Sequence, residues 1–71
     1  MKFSYYPETD SLYIDLSSQQ SVESKEISEG IVLDYDIDGN VTGIDIDNAS
    51  HKVNLEDVSF SRIPFKPAKS A

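Results

Sequence analysis

The chain has 71 residues, with 13 acids against 6 bases, a formal net charge of −7 and no cysteine. That length allows one domain, and the missing cysteine removes disulfide frameworks, cysteine-based zinc sites and thiol nucleophiles. Such acidity repels phosphate backbones, which argues against broad electrostatic binding to nucleic acid or to an anionic membrane.

Lys2–Tyr6 and Ser11–Leu16 both read as strands. Phe3 and Tyr5 alternate with Ser4 and Tyr6, and Leu12, Ile14 and Leu16 alternate with Tyr13 and Asp15. Pro7-Glu8-Thr9-Asp10 between them has turn chemistry: proline suits the first corner, and Thr and Asp hydrogen-bond local backbone. The result is a hairpin with Phe3, Tyr5, Leu12, Ile14 and Leu16 on one face and Tyr6, Tyr13 and Asp15 on the other. Ser17–Ser21 is polar and reads as a loop. Val22–Ile27 reads as a short edge strand whose Glu23, Lys25 and Glu26 discourage pairing with other chains. Ser28-Glu29-Gly30 then turns the chain.

Ile31–Ile37 and Val41–Asp47 form the clearest pair. Ile31, Leu33, Tyr35 and Ile37 alternate with polar neighbours, as do Ile44 and Ile46 beyond the turn Asp38-Gly39-Asn40, where glycine supplies a positive φ. A loop of two or four residues keeps both apolar sets on one face, whereas three residues would separate them. The shared face, and so the even loop, is expected. Asp34, Asp36, Asp45 and Asp47 then lie together on the opposite face.

Further on, Asn48 or Asp47 is placed to cap a helical turn over Ala49–Val53. Asn54, followed by Leu55-Glu56-Asp57, looks like a second short helical start. Val58, Phe60 and Ile63 are placed to pack back on the sheet. Pro64 and Pro67 end regular structure, leaving one domain over 1–65 and a flexible tail over 66–71. The fold class is mainly β (α+β): an antiparallel meander of four or five strands with a short C-terminal helical segment packed on one face. That cover is thin for a face carrying Phe3, Tyr5, Leu12, Ile14, Leu16, Ile31, Leu33, Tyr35, Ile44 and Ile46, so a homodimer is expected to complete the burial. No uninterrupted apolar run exceeds three residues, as in Ile31-Val32-Leu33, and the N-terminus has no signal-peptide character. A soluble, cytoplasmic protein without a membrane span is expected.

Asp34 to Asp45 match much of the twelve-residue EF-hand template, with Asp at positions one, three and five and Gly at six. The flanks nevertheless have period two, and aspartates spaced two apart on a strand spread at about 6.5–7 Å per step instead of converging. The string therefore reads as an acidic hairpin, with Asp34, Asp36 and Asp38 kept as candidate calcium ligands in the alternative reading. Like charges on Asp34, Asp36, Asp45 and Asp47 oppose one another across paired strands. Solvent and salt, a cation or a basic partner would offset that repulsion, and these four are the candidate partner-binding residues. Tyr6 and Tyr13 join them as anchors, unless they form a cross-strand aromatic pair. His51, the one histidine, reads as exposed on a short helical turn. No nucleophile elbow or phosphate loop occurs, so neither a catalytic residue nor a cofactor is expected.

One resemblance carries further. Tyr5-Tyr6-Pro7-Glu8-Thr9-Asp10-Ser11-Leu12-Tyr13-Ile14, then Glu29-Gly30-Ile31-Val32-Leu33-Asp34-Tyr35-Asp36, then Asp38-Gly39-Asn40-Val41-Thr42-Gly43-Ile44-Asp45-Ile46 and the closing Asn48-Ala49-Ser50 resemble the bacterial family called domain of unknown function 2283. The likeness covers about residues 2–53, and the Val53–Pro67 extension is less typical. It implies a small β-rich domain and no reaction. In some bacterial gene pairs such proteins look like partners of small basic toxin-like proteins, which implies an antitoxin-like or accessory role; opposite charge would speed such an encounter.

Overall fold

The structure, a computed structural model, describes residues 1–64. The tail expected at 66–71 and the domain limit at 65 lie outside the described residues. Five strands form, β1 (Lys2–Tyr6), β2 (Ser11–Asp15), β3 (Glu23–Ser28), β4 (Ile31–Tyr35) and β5 (Val41–Ile46), followed by one short helix, α1 (Ala49–Lys52). The expected mainly-β architecture is present as a single antiparallel sheet, but its strand order is β1-β2-β5-β4-β3. The β1–β2 hairpin and the β3–β4–β5 run are each sequential, and β5 returns to pair with β2. To let it in, the polar segment from Leu16 to Val22 must carry the chain past three strand spacings, about 14 Å. Seven residues reach that far with slack.

Alternation now becomes position. Phe3, Ile14, Ile44 and Leu33 stand in one row across four strands, and Tyr5, Leu12, Ile46 and Ile31 stand in the next. Both rows face the same side. The shared face expected for β4 and β5 is therefore found, but not through an even loop. Asp36 N donates to Asn40 O (2.9 Å) and Gly39 N to Asp36 O (3.1 Å), which closes a three-residue loop, Ile37-Asp38-Gly39, with Gly39 at φ 85°. The odd loop would flip the faces; a register shift that leaves Thr42 as an extra residue, between the pairs Asp34↔Gly43 and Tyr35↔Val41, flips them back. Ile37, counted in the strand pattern, is instead at the loop tip and 82 % exposed.

The buried hydrophobic residues are few. Leu12, Ile46 and Ala49 form the centre, with Ile14, Ile44 and Leu55 packed partly against them. Residues after α1 cross the β1–β2 half of the apolar face, and Phe60 meets Phe3 edge-on, with ring centroids 6.2 Å apart and planes at 82°. The second helical start does not form. Asn54 Oδ1 accepts from Glu56 N at 3.0 Å, and this local bond holds a turn over Leu55-Glu56 in place of a helix. Among the described residues no helix is long and apolar enough to cross a membrane.

Candidate functional site

The polar face of the sheet is built from two rows. Ser4, Tyr13, Asp45, Val32 and Glu26 make one, and Lys2, Asp15, Gly43, Asp34 and Ser24 the other. Tyr13 does not stay in its own row. Its ring crosses the bare backbone of Gly43 and its hydroxyl donates to Asp34 Oδ2 at 2.7 Å, two strands away. A Cβ on Gly43 would lie 2.6 Å from Tyr13 Cζ and closer still to Oη, so only glycine leaves the path open. The other oxygen of Asp34 accepts from Ser24 Oγ at 2.6 Å. One carboxylate thus joins β2, β4 and β3 above β5. The negative oxygen facing the phenol, with partial burial, pushes the Tyr13 pKa up to about 12.

Of the four aspartates expected on this face, three act on one another and one does not. The carboxyl of Asp45 is held above its ordinary range, first by burial and then by the charges of Asp47 and Asp34. Asp36 is withdrawn instead. It is 8 % exposed, and its Oδ1 accepts from Asp38 N and Asn40 N, both at 2.9 Å, inside the hairpin loop. Its expected position on an open acidic face is thereby corrected: the side chain serves the turn. Asp47 lies just beyond β5, where its N–H bonds Gly30 O at 2.8 Å and its carbonyl accepts from Lys52 Nζ.

The three candidate calcium ligands point to different tasks. Asp34 serves Tyr13 and Ser24, Asp36 serves loop amides, and Asp38 is exposed at the loop. Among the described residues no three His, Cys, Asp or Glu side chains gather closely enough to hold a metal ion. Tyr6 and Tyr13 do not meet as an aromatic pair. Tyr6 stands opposite Ser11, Tyr13 stands opposite Ser4, and the Tyr13 ring leans away toward β4. Tyr6 remains 52 % exposed. His51 is exposed on α1, as expected.

A second cluster, unseen in the sequence pattern, holds α1 to the first hairpin. Asp10, at φ 53°, accepts from Tyr5 Oη at 2.7 Å, from Ser50 N at 3.1 Å and from Ser50 Oγ at 2.8 Å. Its backbone carbonyl takes Ala49 N at 2.8 Å. The hydrogen bonds from Tyr5 and then Ser50 lower the Asp10 pKa, while the Tyr5 phenol is raised by the same contact. Asn48, expected to cap the helix, takes a left-handed conformation and makes no side-chain cap bond. The cap comes from Asp10, forty residues away in sequence. The signal for it was an Asp closing a hairpin loop together with Asn-Ala-Ser after the last strand: Asn for the left-handed bend, Ala for a site with no exposed surface, Ser for the carboxylate.

These features define a small single-sheet antiparallel β domain, with a hydrogen-bonded acidic face and a lightly covered apolar one. The chain belongs to the family described as "Protein of unknown function (DUF2283)", whose model matches residues 2–50. Comparison with curated proteins and with solved structures gave no match. The matched stretch ends at Ser50, the residue that ties α1 to Asp10. The segment that covers Phe3 and Leu12 follows it.

Proposed function

We propose that the protein is a non-enzymatic protein-interaction module of the cytoplasm, an accessory or antitoxin-like partner of a small basic protein. The observation that carries this reading is the unfinished apolar side. Among the described residues Leu12, Ile46 and Ala49 are the buried hydrophobics and no large side chain is fully buried, while Phe3 and Tyr5 remain 46 % and 43 % exposed within the core rows. A groove of about 560 Å³ runs beside them, lined by Leu12, Ile14, Ile46, Leu55 and Val58 among others. Monomeric proteins seldom leave aromatic residues of a core row so open unless something docks there. The acidic character supports the choice of partner: a net charge of −7 and the mutual repulsion of Asp34, Asp45 and Asp47 favour a basic surface, which would relieve that repulsion and be steered toward it.

Affinity capture with the full chain, paired with the Asp45→Asn/Asp47→Asn variant, tests the reading. Both substitutions spare the Tyr13–Asp34–Ser24 bonds. Capture of basic proteins by the native chain, weakened several-fold in the variant, is expected. Equal capture by both, or capture of proteins without basic character, would refute it.

A further inference from the structure

The two free edges of the sheet are not alike. β3 is exposed along its whole length, carries Glu23, Lys25 and Glu26, and has a register shift at Ile27 between the pairs Glu26↔Val32 and Ser28↔Ile31. Charges and a bulge are the devices that stop an edge from recruiting another strand. β1 has neither a bulge nor an acid. Its pairing with β2 runs unbroken from Lys2↔Asp15 to Tyr6↔Ser11, and Lys2 is its single charge. Phe60 packs on Phe3 from the apolar side, yet among the described residues no backbone hydrogen bond joins the segment after α1 to β1. Among the described residues, then, nothing bonds to the outer row of β1 backbone donors and acceptors.

We infer that β1 pairs with β1 of a second copy of this chain, antiparallel about a two-fold axis at Ser4, making one continuous sheet of ten strands from two sheets of five. This pairing rests on the reading of the chain as an interaction module: a second copy takes the β1 margin, and the acidic face with Asp45 and Asp47 is left for the basic partner. Three observations select a second copy. Charge comes first: two chains of −7 must meet where they are least acidic, and residues 1–7 hold Lys2 and no acid. Self-complementarity is next. An axis at Ser4 sets Phe3 opposite the second copy's Tyr5 on the apolar side, twice, giving cross-strand aromatic pairs. On the polar side it sets Lys2 opposite the second copy's Tyr6, a cation beside an aromatic face. Burial is the third. Phe3 and Tyr5 of β1, and Phe60 against Phe3, remain about half exposed, so pairing there adds aromatic burial to the strand hydrogen bonds. The grooves of the two copies would also open onto one another across the joined strands.

The test uses the full chain, which has no cysteine of its own. Sedimentation of the native protein at micromolar concentration should give twice the chain mass. Ser4→Cys places two thiols across the axis at a separation that antiparallel pairs allow for a disulfide. Oxidation should crosslink that variant to a dimer, while Ser28→Cys on the β3 edge stays monomeric on the same gel. Thermal melting of both reduced variants must match the native chain, so that crosslinking is read on folded protein. A native monomer with no Ser4→Cys crosslink overturns the pairing and leaves the basic-partner reading standing, because capture reads that separately. A dimer that crosslinks through Ser28→Cys overturns the choice of edge.

Discussion

The two faces of this sheet hold together by opposite means. The polar face, which solvent could have satisfied unaided, is locked by directed bonds: Tyr13 across Gly43 to Asp34, and Ser24 to the same carboxylate. The apolar face has fewer constraints, with Leu12 and Ile46 buried and its aromatic margin open. In a domain too small for a deep core, hydrogen bonds between side chains fix which strands are neighbours, and burial is left to supply the bulk of the stability. Specificity therefore sits on the wet side and driving force on the dry side.

Four substitutions would break or sharpen that contrast. The largest effect belongs to the dry side: Leu12→Ala should lower unfolding stability by about 3 kcal/mol, the order seen for truncating a buried leucine, measured by urea titration. A loss near zero would mean that burial is not the driving term. Next comes Gly43→Ala, which puts a methyl group into the Tyr13 ring and should destabilise by about 2 kcal/mol through overpacking and the lost hydrogen bond. In a double-mutant cycle with Tyr13→Ala that penalty should largely vanish, since the obstructed ring is gone. Additive losses would show that the glycine matters for another reason.

Tyr13→Phe should give up about 1 kcal/mol, the ordinary net worth of one hydrogen bond. A pH scan gives an independent reading of that bond. Because the folded pKa of Tyr13, about 12, lies above the ordinary tyrosine value of 10.0, the bond stabilises fully below pH 10. Its contribution fades as pH climbs toward 12. Absorbance titration should show a tyrosine ionising at about pH 12, and Tyr13→Phe should remove that step. The smallest effect has the opposite sign. Asp45 has a folded pKa raised by burial and by its acidic neighbours, so its charged form opposes folding and the opposition is relieved as pH falls through that raised value. Asp45→Asn should stabilise the chain at neutral pH by about 0.5 kcal/mol at low salt, and by less at high salt. Destabilisation by Asp45→Asn would mean that the carboxylate has a partner.

Local patterns in the sequence carried the hairpins and the division into faces. Alternation at Leu12, Ile14, Ile44 and Ile46 was enough to put those residues side by side once the strands paired. The strand order was not legible, because the β2–β5 pairing links residues about thirty apart and nothing local specifies it. Nor does the spacing of apolar residues reveal that an odd loop and an extra Thr42 cancel. In the sequence the four aspartates of the acidic face look equivalent. Asp36 left that set because two loop amides were in reach of its carboxylate, and Asp34 became a junction because Gly43 cleared a path for a ring from another strand. Those outcomes depend on which strands become neighbours, which no single stretch of the chain encodes.

That β5 lies between β2 and β4 has a consequence for synthesis of the chain. A nascent polypeptide that has left the ribosome only as far as Asn40 holds two separate hairpins with no ladder between them. Val41–Ile46 is the strip that joins them, and α1 clasps the first hairpin only after Ser50 follows. The domain thus has no stable half. It should fold all at once and late, and truncation before Ile46 should leave unassembled pieces for cellular proteases.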